Sequence, residues 1–487
     1  MSLASTLADR FKAAFTGQVV SATSGAILTV VLTRLLDPDR YGLLFLAISV
    51  LMIINVYSEL GIGRSTAKYI AEYKETNPGQ LRHILSFGFL FNSGTIIIIC
   101  LALLFTHEHI AQLIGEPDLV LFLLLGVLFI AFSAILTFVR DTLQGFEAIE
   151  ASAFVQVINM VARVIFAIGL VLIGYGAIGA LIGYILAYLL ASLVGLVYLY
   201  RSYYQRYTGE TVESGLKRRI AEYTIPLTAT NTANKLEKQV DTILVGFFIG
   251  PVEVAYYTLG KQVVQFIETP ILALGFTLAP TFEAQKAKGN PDTLARIYQK
   301  GLSNTLLLYI PAAAGLVLVA KPLVELVFGS EYLGAIPVLQ ILAIYTVLRS
   351  VTKLTGSGLD YLGRARERAI VRGISAVLNV ALNLVLIPMI GAVGAAIATT
   401  ITYSIYTLAT LYIVHTEIDL HIRALLRHIG SVLVVTGVMS IVVLLLLNYI
   451  NGFFTLFGVV TVGVIVWALL SVGIGLLDIE QMASVVF

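Results

Sequence analysis

Between Asp118 and Arg140 the chain runs without a single charged residue, and comparable apolar stretches recur along its length. A helix crossing a hydrocarbon core of about 30 Å needs roughly 20 mostly apolar residues. Inside lipid each backbone amide must find its partner within the segment, so helices are the natural solution. Stretches of this kind fall at 13–36, 41–62, 84–105, 119–139, 151–173, 177–200, 223–249, 254–282, 301–320, 336–357, 370–390, 392–414, 429–448 and 453–477, which predicts fourteen spans. Of the 487 residues 58% are hydrophobic and 12% charged, whereas soluble domains carry about 25% charged residues. Too little charge remains to clothe a water-facing surface. A soluble enzyme, a nucleic-acid binder and a disordered scaffold are thereby excluded, and an all-α polytopic membrane protein is expected. The net charge of +2 suggests no polyanionic partner, and Cys100, the only cysteine, excludes an intrachain disulfide.

Lys and Arg orient the spans. With the N-terminus inside, the predicted cytoplasmic loops hold Arg10, Lys12, Arg64, Lys68, Lys74, Arg82, Arg140, Arg201, Arg206, Lys217, Arg218 and Arg219, then Lys286, Lys288, Arg296, Lys300, Arg364, Arg366, Arg368, Arg372, Arg423 and Arg427. The opposite loops hold only Arg40 and Lys321. This asymmetry is the positive-inside pattern, and it puts both termini in the cytoplasm of a plasma-membrane protein. Two of these loops, 64–74 and 215–220, have an amphipathic pattern with two readings, an interfacial segment that attracts anionic lipid head groups and an ordinary basic cytoplasmic loop, of which the second is favoured.

A weak internal repeat is present. Leu36-Asp37-Pro38-Asp39-Arg40, before span 2, resembles Ile249-Gly250-Pro251-Val252-Glu253, before span 8. Gly176-Ala177-Ile178-Gly179-Ala180, at the mouth of span 6, matches Gly391-Ala392-Val393-Gly394-Ala395, at the mouth of span 12. Each pair is six spans apart, so the halves share one orientation. The expected organisation is a six-helix bundle over 1–210, a second over 211–415, and two extra C-terminal helices over 416–487. Parallel repeats of this kind enclose a substrate site near mid-membrane in transporters.

Eleven ionisable residues fall within the predicted spans: the basic Arg34, Arg163, Lys235, Lys238, Lys261, Arg349 and Lys353, and the acidic Glu59, Glu237, Asp241 and Glu268. Facing lipid, they would cost about 30 kcal/mol together, so they face protein or water. Helical spacing puts Asn231, Asn234, Lys235, Lys238 and Asp241 on one face of span 7. The same spacing aligns Thr258, Lys261, Gln265 and Glu268 in span 8, and Tyr345, Arg349 and Lys353 in span 10. Two readings compete: buried pairing, such as Lys238 with Asp241 or Lys261 with Glu268, and a water-filled central cavity with surplus positive charge. The surplus argues for an anionic substrate, since Arg forks and Lys point charges suit phosphate. Glu59, Glu237, Asp241 and Glu268 are the candidate coupling groups for an ion, H+ or Na+.

No G-x-x-x-x-G-K-[ST] loop is present, and His107-Glu108-His109 lacks the spacing of a zinc helix, so neither a metal nor a cofactor is expected. No Ser, His and Asp gather at one membrane depth, and the chain is not expected to be an enzyme.

The chain resembles the polysaccharide transporter (O-antigen flippase-like) family of the multidrug/oligosaccharidyl-lipid/polysaccharide (MOP) exporter superfamily. The resemblance rests on Leu32-Thr33-Arg34-Leu35-Leu36, Tyr41-Gly42, Leu60-Gly61-Ile62-Gly63, Ile225-Pro226, Asp241-Thr242-Ile243-Leu244 with Gly246, Ala255-Tyr256-Tyr257, and Leu386-Ile387-Pro388 with Gly391 and Gly394-Ala395-Ala396-Ile397-Ala398-Thr399. It implies two six-helix bundles around a central cavity and export of a polyprenyl-(pyro)phosphate-linked oligosaccharide from the cytoplasmic to the outer leaflet. The partners it implies are that lipid-linked substrate, membrane lipids and glycan-assembly enzymes. Pro251-Val252-Glu253 departs from the family's usual Val-Gly pair. An ion-coupled multidrug exporter of the same superfamily is the alternative, disfavoured by the basic surplus. A membrane-embedded glycan polymerase is disfavoured by the short external loops.

Overall fold

A computed structural model describes residues 20–207, 211–269, 291–418 and 420–477. Among these residues the chain is helical, and it divides into two compact units, Met1–Ala255 and Tyr256–Phe487.

The first unit contains α1 (Val20–Leu35), α2 (Pro38–Glu59), α3 (Ile62–Thr76), α4 (Leu81–Ile114), α5 (Leu119–Gly145), α6 (Ile149–Leu170), α7 (Gly176–Leu199) and α8 (Leu216–Phe248). Its packing centres on α5, which touches α2, α3, α4, α6 and α7, while α8 lies against α2 and α3. α2 starts where its sequence dictates. Asp37 caps it, its carboxylate accepting from the Arg40 amide at 2.9 Å, and Pro38 supplies the preset φ of a first helical residue.

The second unit contains most of α9 (Pro251–Ile267), then α10 (Pro291–Leu323), α11 (Ala335–Leu362), α12 (Ala365–Glu417), α13 (Ile422–Leu446) and α14 (Phe453–Gly473). Here α11 packs between α10 and α12, and α13 and α14 close on α10. Val319, Met439, Val443, Leu456 and Val459 form the apolar seam of α10, α13 and α14. The indole of Trp467 donates to the Leu307 carbonyl across it, at 3.2 Å.

Nine helical stretches among the described residues are long and apolar enough to cross a membrane. Two of them, 149–204 and 365–417, are each a pair of helices joined at a break. Many large apolar side chains point outward, Phe105 at 80% and Phe454 at 89% exposure among them. Such a surface belongs in lipid, and the protein is a multi-pass membrane protein.

The repeated Gly-Ala motif is one backbone device used twice. Gly176 (φ 54°, ψ −144°) and Gly391 (φ 61°, ψ −142°) take the same left-handed conformation, which no side chain adopts cheaply. Three residues on, Gly179 and Gly394 each let the returning helix press on backbone, against Leu170 and Leu386 respectively.

One segment read as a loop is a helix. α3 buries Ile62, Ser65, Thr66, Tyr69, Ile70 and Tyr73, and contacts α5 and α8. Its apolar face is satisfied by protein. The linker entering α8 is tied to it: Tyr73 donates to Glu213 at 2.6 Å, and Arg219 donates to both. Buried Gln80 clamps the linker backbone, donating to the Thr211 carbonyl at 2.8 Å and accepting from the Glu213 amide at 3.0 Å.

Candidate functional site

In the second unit the polar stripe of α11 converges on one acid. Tyr345, Arg349 and Lys353 follow at intervals of four, so they stack on one helix face. Glu268, just past the end of α9 and only 2% exposed, meets that face. Its Oε2 forms an ion pair with Arg349 Nε at 3.1 Å and accepts a hydrogen bond from Lys353 Nζ at 3.0 Å. Arg349 also donates to the Tyr345 hydroxyl at 3.3 Å, and Tyr345 rests edge-on against Tyr403. Two cations share one carboxylate, so the cluster keeps a net positive charge while each cation remains about 30% exposed. Lys261, on α9, lies 5.2 Å from the Tyr257 ring, whose hydroxyl is 3.2 Å from the Thr399 hydroxyl. Across the break in α12, Asn383 donates to Asn379, and Asn379 to Thr402.

In the first unit Glu59, at the end of α2, sits in a cage of neutral donors. Its Oε1 accepts from Asn55 Nδ2 at 2.8 Å and Thr137 Oγ1 at 3.0 Å. Asn55 Oδ1 in turn accepts from Ser58 at 2.8 Å and Ser133 at 3.2 Å. Asn92 and Thr95 of α4 hold the Ser58 carbonyl. On α8, Lys235 and Glu237 are half-buried, Lys238 is exposed and Asp241 is buried. Arg64 of α3 donates to Asn231, one turn before Lys235, at 3.2 Å.

Arg163 of α6 lies over two rings of α7, 4.8 Å from Tyr184 and 5.5 Å from Tyr188. A guanidinium on aromatic faces is stabilised without an acid. Arg34, near the end of α1, is exposed.

Arg349 and Lys353 are thus brought together with Glu268, whereas Arg163 rests on tyrosine rings and Glu59 is hydrogen-bonded by neutral side chains. The carboxylate set against the α11 cations comes from a segment 85 residues earlier in the chain. Sequence reasoning missed Asn55, Ser133 and Thr137 around Glu59 and the tyrosines under Arg163. The available signal was single polar residues within otherwise apolar spans.

A family model described as "Polysaccharide biosynthesis protein" matches residues 10–286, more than half of the chain, and one described as MatE matches 226–385. An uncharacterized membrane protein of Methanocaldococcus jannaschii is 25% identical over 76% of this chain and 88% of its own. The lipopolysaccharide biosynthesis protein WzxC of Escherichia coli is 25% identical over 80% of this chain and 77% of its own. Among solved structures, the lipid II flippase MurJ in an inward closed conformation superposes with a TM-score of 0.75 at 15% identity. That match covers 95% of this chain and 97% of that one, a likeness of fold.

Proposed function

The chain belongs to the polysaccharide biosynthesis protein family, and on that premise we propose that it is a flippase. Its cargo is a polyprenyl-(pyro)phosphate-linked oligosaccharide, carried from the cytoplasmic to the outer leaflet of the plasma membrane by alternating access, for cell-surface polysaccharide or glycoprotein assembly. The observation that carries this reading is the net positive Arg349–Glu268–Lys353 cluster. A pyrophosphate approaching it finds an Arg fork and a Lys point charge whose shared acid neutralises only one of them. The polyprenyl tail stays in lipid, and head group and sugars follow the polar stripes. Arg349, Lys353, Lys235, Lys238, Lys261, Arg163 and Arg34 are the cations that meet phosphate or acidic sugar along the path. Glu59, Glu237, Asp241 and Glu268 are the candidate groups for a coupling H+ or Na+. No bond is made or broken in this cycle. The work is transfer of charge and hydroxyls through a low-dielectric layer, and protein groups replace the lost hydration.

The test is selective binding. Polyprenyl pyrophosphate should raise the unfolding temperature of the purified protein, and the same concentration of neutral polyprenol should not. Stabilisation by small lipophilic cations with indifference to the pyrophosphate would instead favour a multidrug exporter.

A further inference from the structure

Resting on the reading of the chain as a carrier of a lipid-linked diphosphate, we propose that Arg64 and Lys68 of α3 form its loading subsite. The diphosphate is taken up there, on the cytoplasmic side of the first unit, before it passes to the cations of α8.

The basic stretch that holds both residues is a helix packed along the start of α8. Ser65 donates to the Ile220 carbonyl at 2.8 Å, and Thr228 to the Leu60 carbonyl at 2.5 Å. A Cβ on Gly61 would lie 2.8 Å from that of Leu227, so the two backbones approach closely. Ser65, Thr66, Tyr69 and Ile70 are buried, while Arg64 and Lys68, four residues apart, share the exposed side. Arg64 reaches across to Asn231 of α8 at 3.2 Å. Lys68 lies 3.9 Å from the ring of Tyr223, also on α8, and 5.1 Å from that of Tyr69. Both cations are thus held against the same seam.

Their partners set them apart. Other cations on this side are neutralised: Lys74 pairs with Glu147, Arg219 with Glu213 and Arg218 with Glu222. Arg64 and Lys68 rest on an amide and on aromatic rings, and among the described residues neither is in an ion pair. Asp141 of α5 lies against the Gly63 backbone and makes no ion pair with Arg64.

A neutral partner orients a cation without cancelling its charge, so an arriving anion meets two uncancelled charges. Four residues of α-helix set the pair about 6 Å apart along the axis. Each cation can then take one phosphate of a diphosphate, the Arg fork gripping one and the Lys point charge the other. Any diphosphate has this chemistry. The lipid-linked form is the occupant because the seam runs on into Asn231, Lys235 and Lys238, which share one face of α8 and continue the path.

The experiment is titration calorimetry on the full chain in detergent, with farnesyl pyrophosphate as probe. Arg64→Gln and Lys68→Gln alter exposed side chains, and each should weaken binding about tenfold. The double variant should bind more weakly still. Farnesyl phosphate, with one phosphate to offer, should lose less affinity in the double variant than the diphosphate does. Arg206→Gln with Lys217→Gln removes the same two charges from exposed positions off the seam, and should change affinity by less than about threefold. Inorganic pyrophosphate binding as tightly as the probe, or phosphatidylglycerol displacing the probe at equal concentration, overturns the lipid-linked diphosphate as occupant. Unchanged affinity in the Arg64, Lys68 double variant, or an equal loss in the Arg206, Lys217 control, overturns the subsite and leaves the flippase reading standing. Failure of the wild type to bind the probe at all overturns both.

Discussion

Glutamine in place of Glu268 removes one charge from a cluster in which one carboxylate serves two cations. Glu268 is 2% exposed, whereas Arg349 and Lys353 keep 30% and 31% exposure. Stripping one partner from a fully buried pair costs about 3–5 kcal/mol. Water reaching the two cations screens them, which brings the expected cost to about 2 kcal/mol. Glutamine keeps a hydrogen-bonding oxygen, so most of the loss is Coulombic. It includes repulsion between Arg349 and Lys353, now like charges one turn apart. Adding Lys353→Gln relieves that repulsion, so the double variant should be at least about 1 kcal/mol more stable than the sum of the single effects implies. Trp467, the only tryptophan, lies in the same unit and reports unfolding by its fluorescence. The single variant should unfold about 5 °C below wild type. An unchanged unfolding temperature, or strictly additive effects, would refute the shared-carboxylate arrangement.

Other expectations follow from the packing. A Cβ on Gly183 would lie 2.3 Å from the Ala167 nitrogen and 2.4 Å from its Cα. Gly183→Ala should therefore force α6 from α7 and cost about 1–3 kcal/mol, while Gly169→Ala, with nothing within 4 Å, should leave the thermal midpoint nearly unchanged. Removing the clamp with Gln80→Ala should speed trypsin cleavage at Arg206 and Lys217, read as fragments on a gel, without lowering the midpoint of the second unit. The same linker should loosen in acid. The hydrogen bond from Tyr73, reinforced by Arg219, holds the Glu213 carboxyl below its ordinary value of 4.5. Its contribution is thus complete above that value and is lost as pH falls through the lower, folded-state value. Wild-type cleavage by an acid-active protease should rise over that interval, and in Tyr73→Phe the rise should be smaller.

The division between what sequence reveals and what it hides has a physical basis here. Apolar spans are visible because lipid demands about twenty consecutive apolar residues. The Gly176 and Gly391 breaks are visible because a left-handed turn demands glycine. α3 escaped because its apolar face meets protein, so that half of its residues look like a basic loop. The partner of Arg349 and Lys353 escaped because helix periodicity reports neighbours three or four residues apart, whereas Glu268 arrives from 85 residues away. The cage around Glu59 draws one or two neutral residues from each of several helices, leaving no periodic trace.

The central claim is that the Arg349–Glu268–Lys353 cluster carries an anionic, lipid-linked glycan across the bilayer. Its most direct test follows flipping of a polyprenyl pyrophosphate oligosaccharide in proteoliposomes by wild type and by the neutral triple variant Glu268→Gln, Arg349→Gln, Lys353→Gln. The triple variant avoids leaving a buried charge alone. Each charge-assisted contact to phosphate is worth about 1.5–3 kcal/mol, so a folded triple variant should flip at least about tenfold more slowly than wild type. Equal rates in the two proteins, or a wild type that moves small cations and never the glycan lipid, would contradict the account.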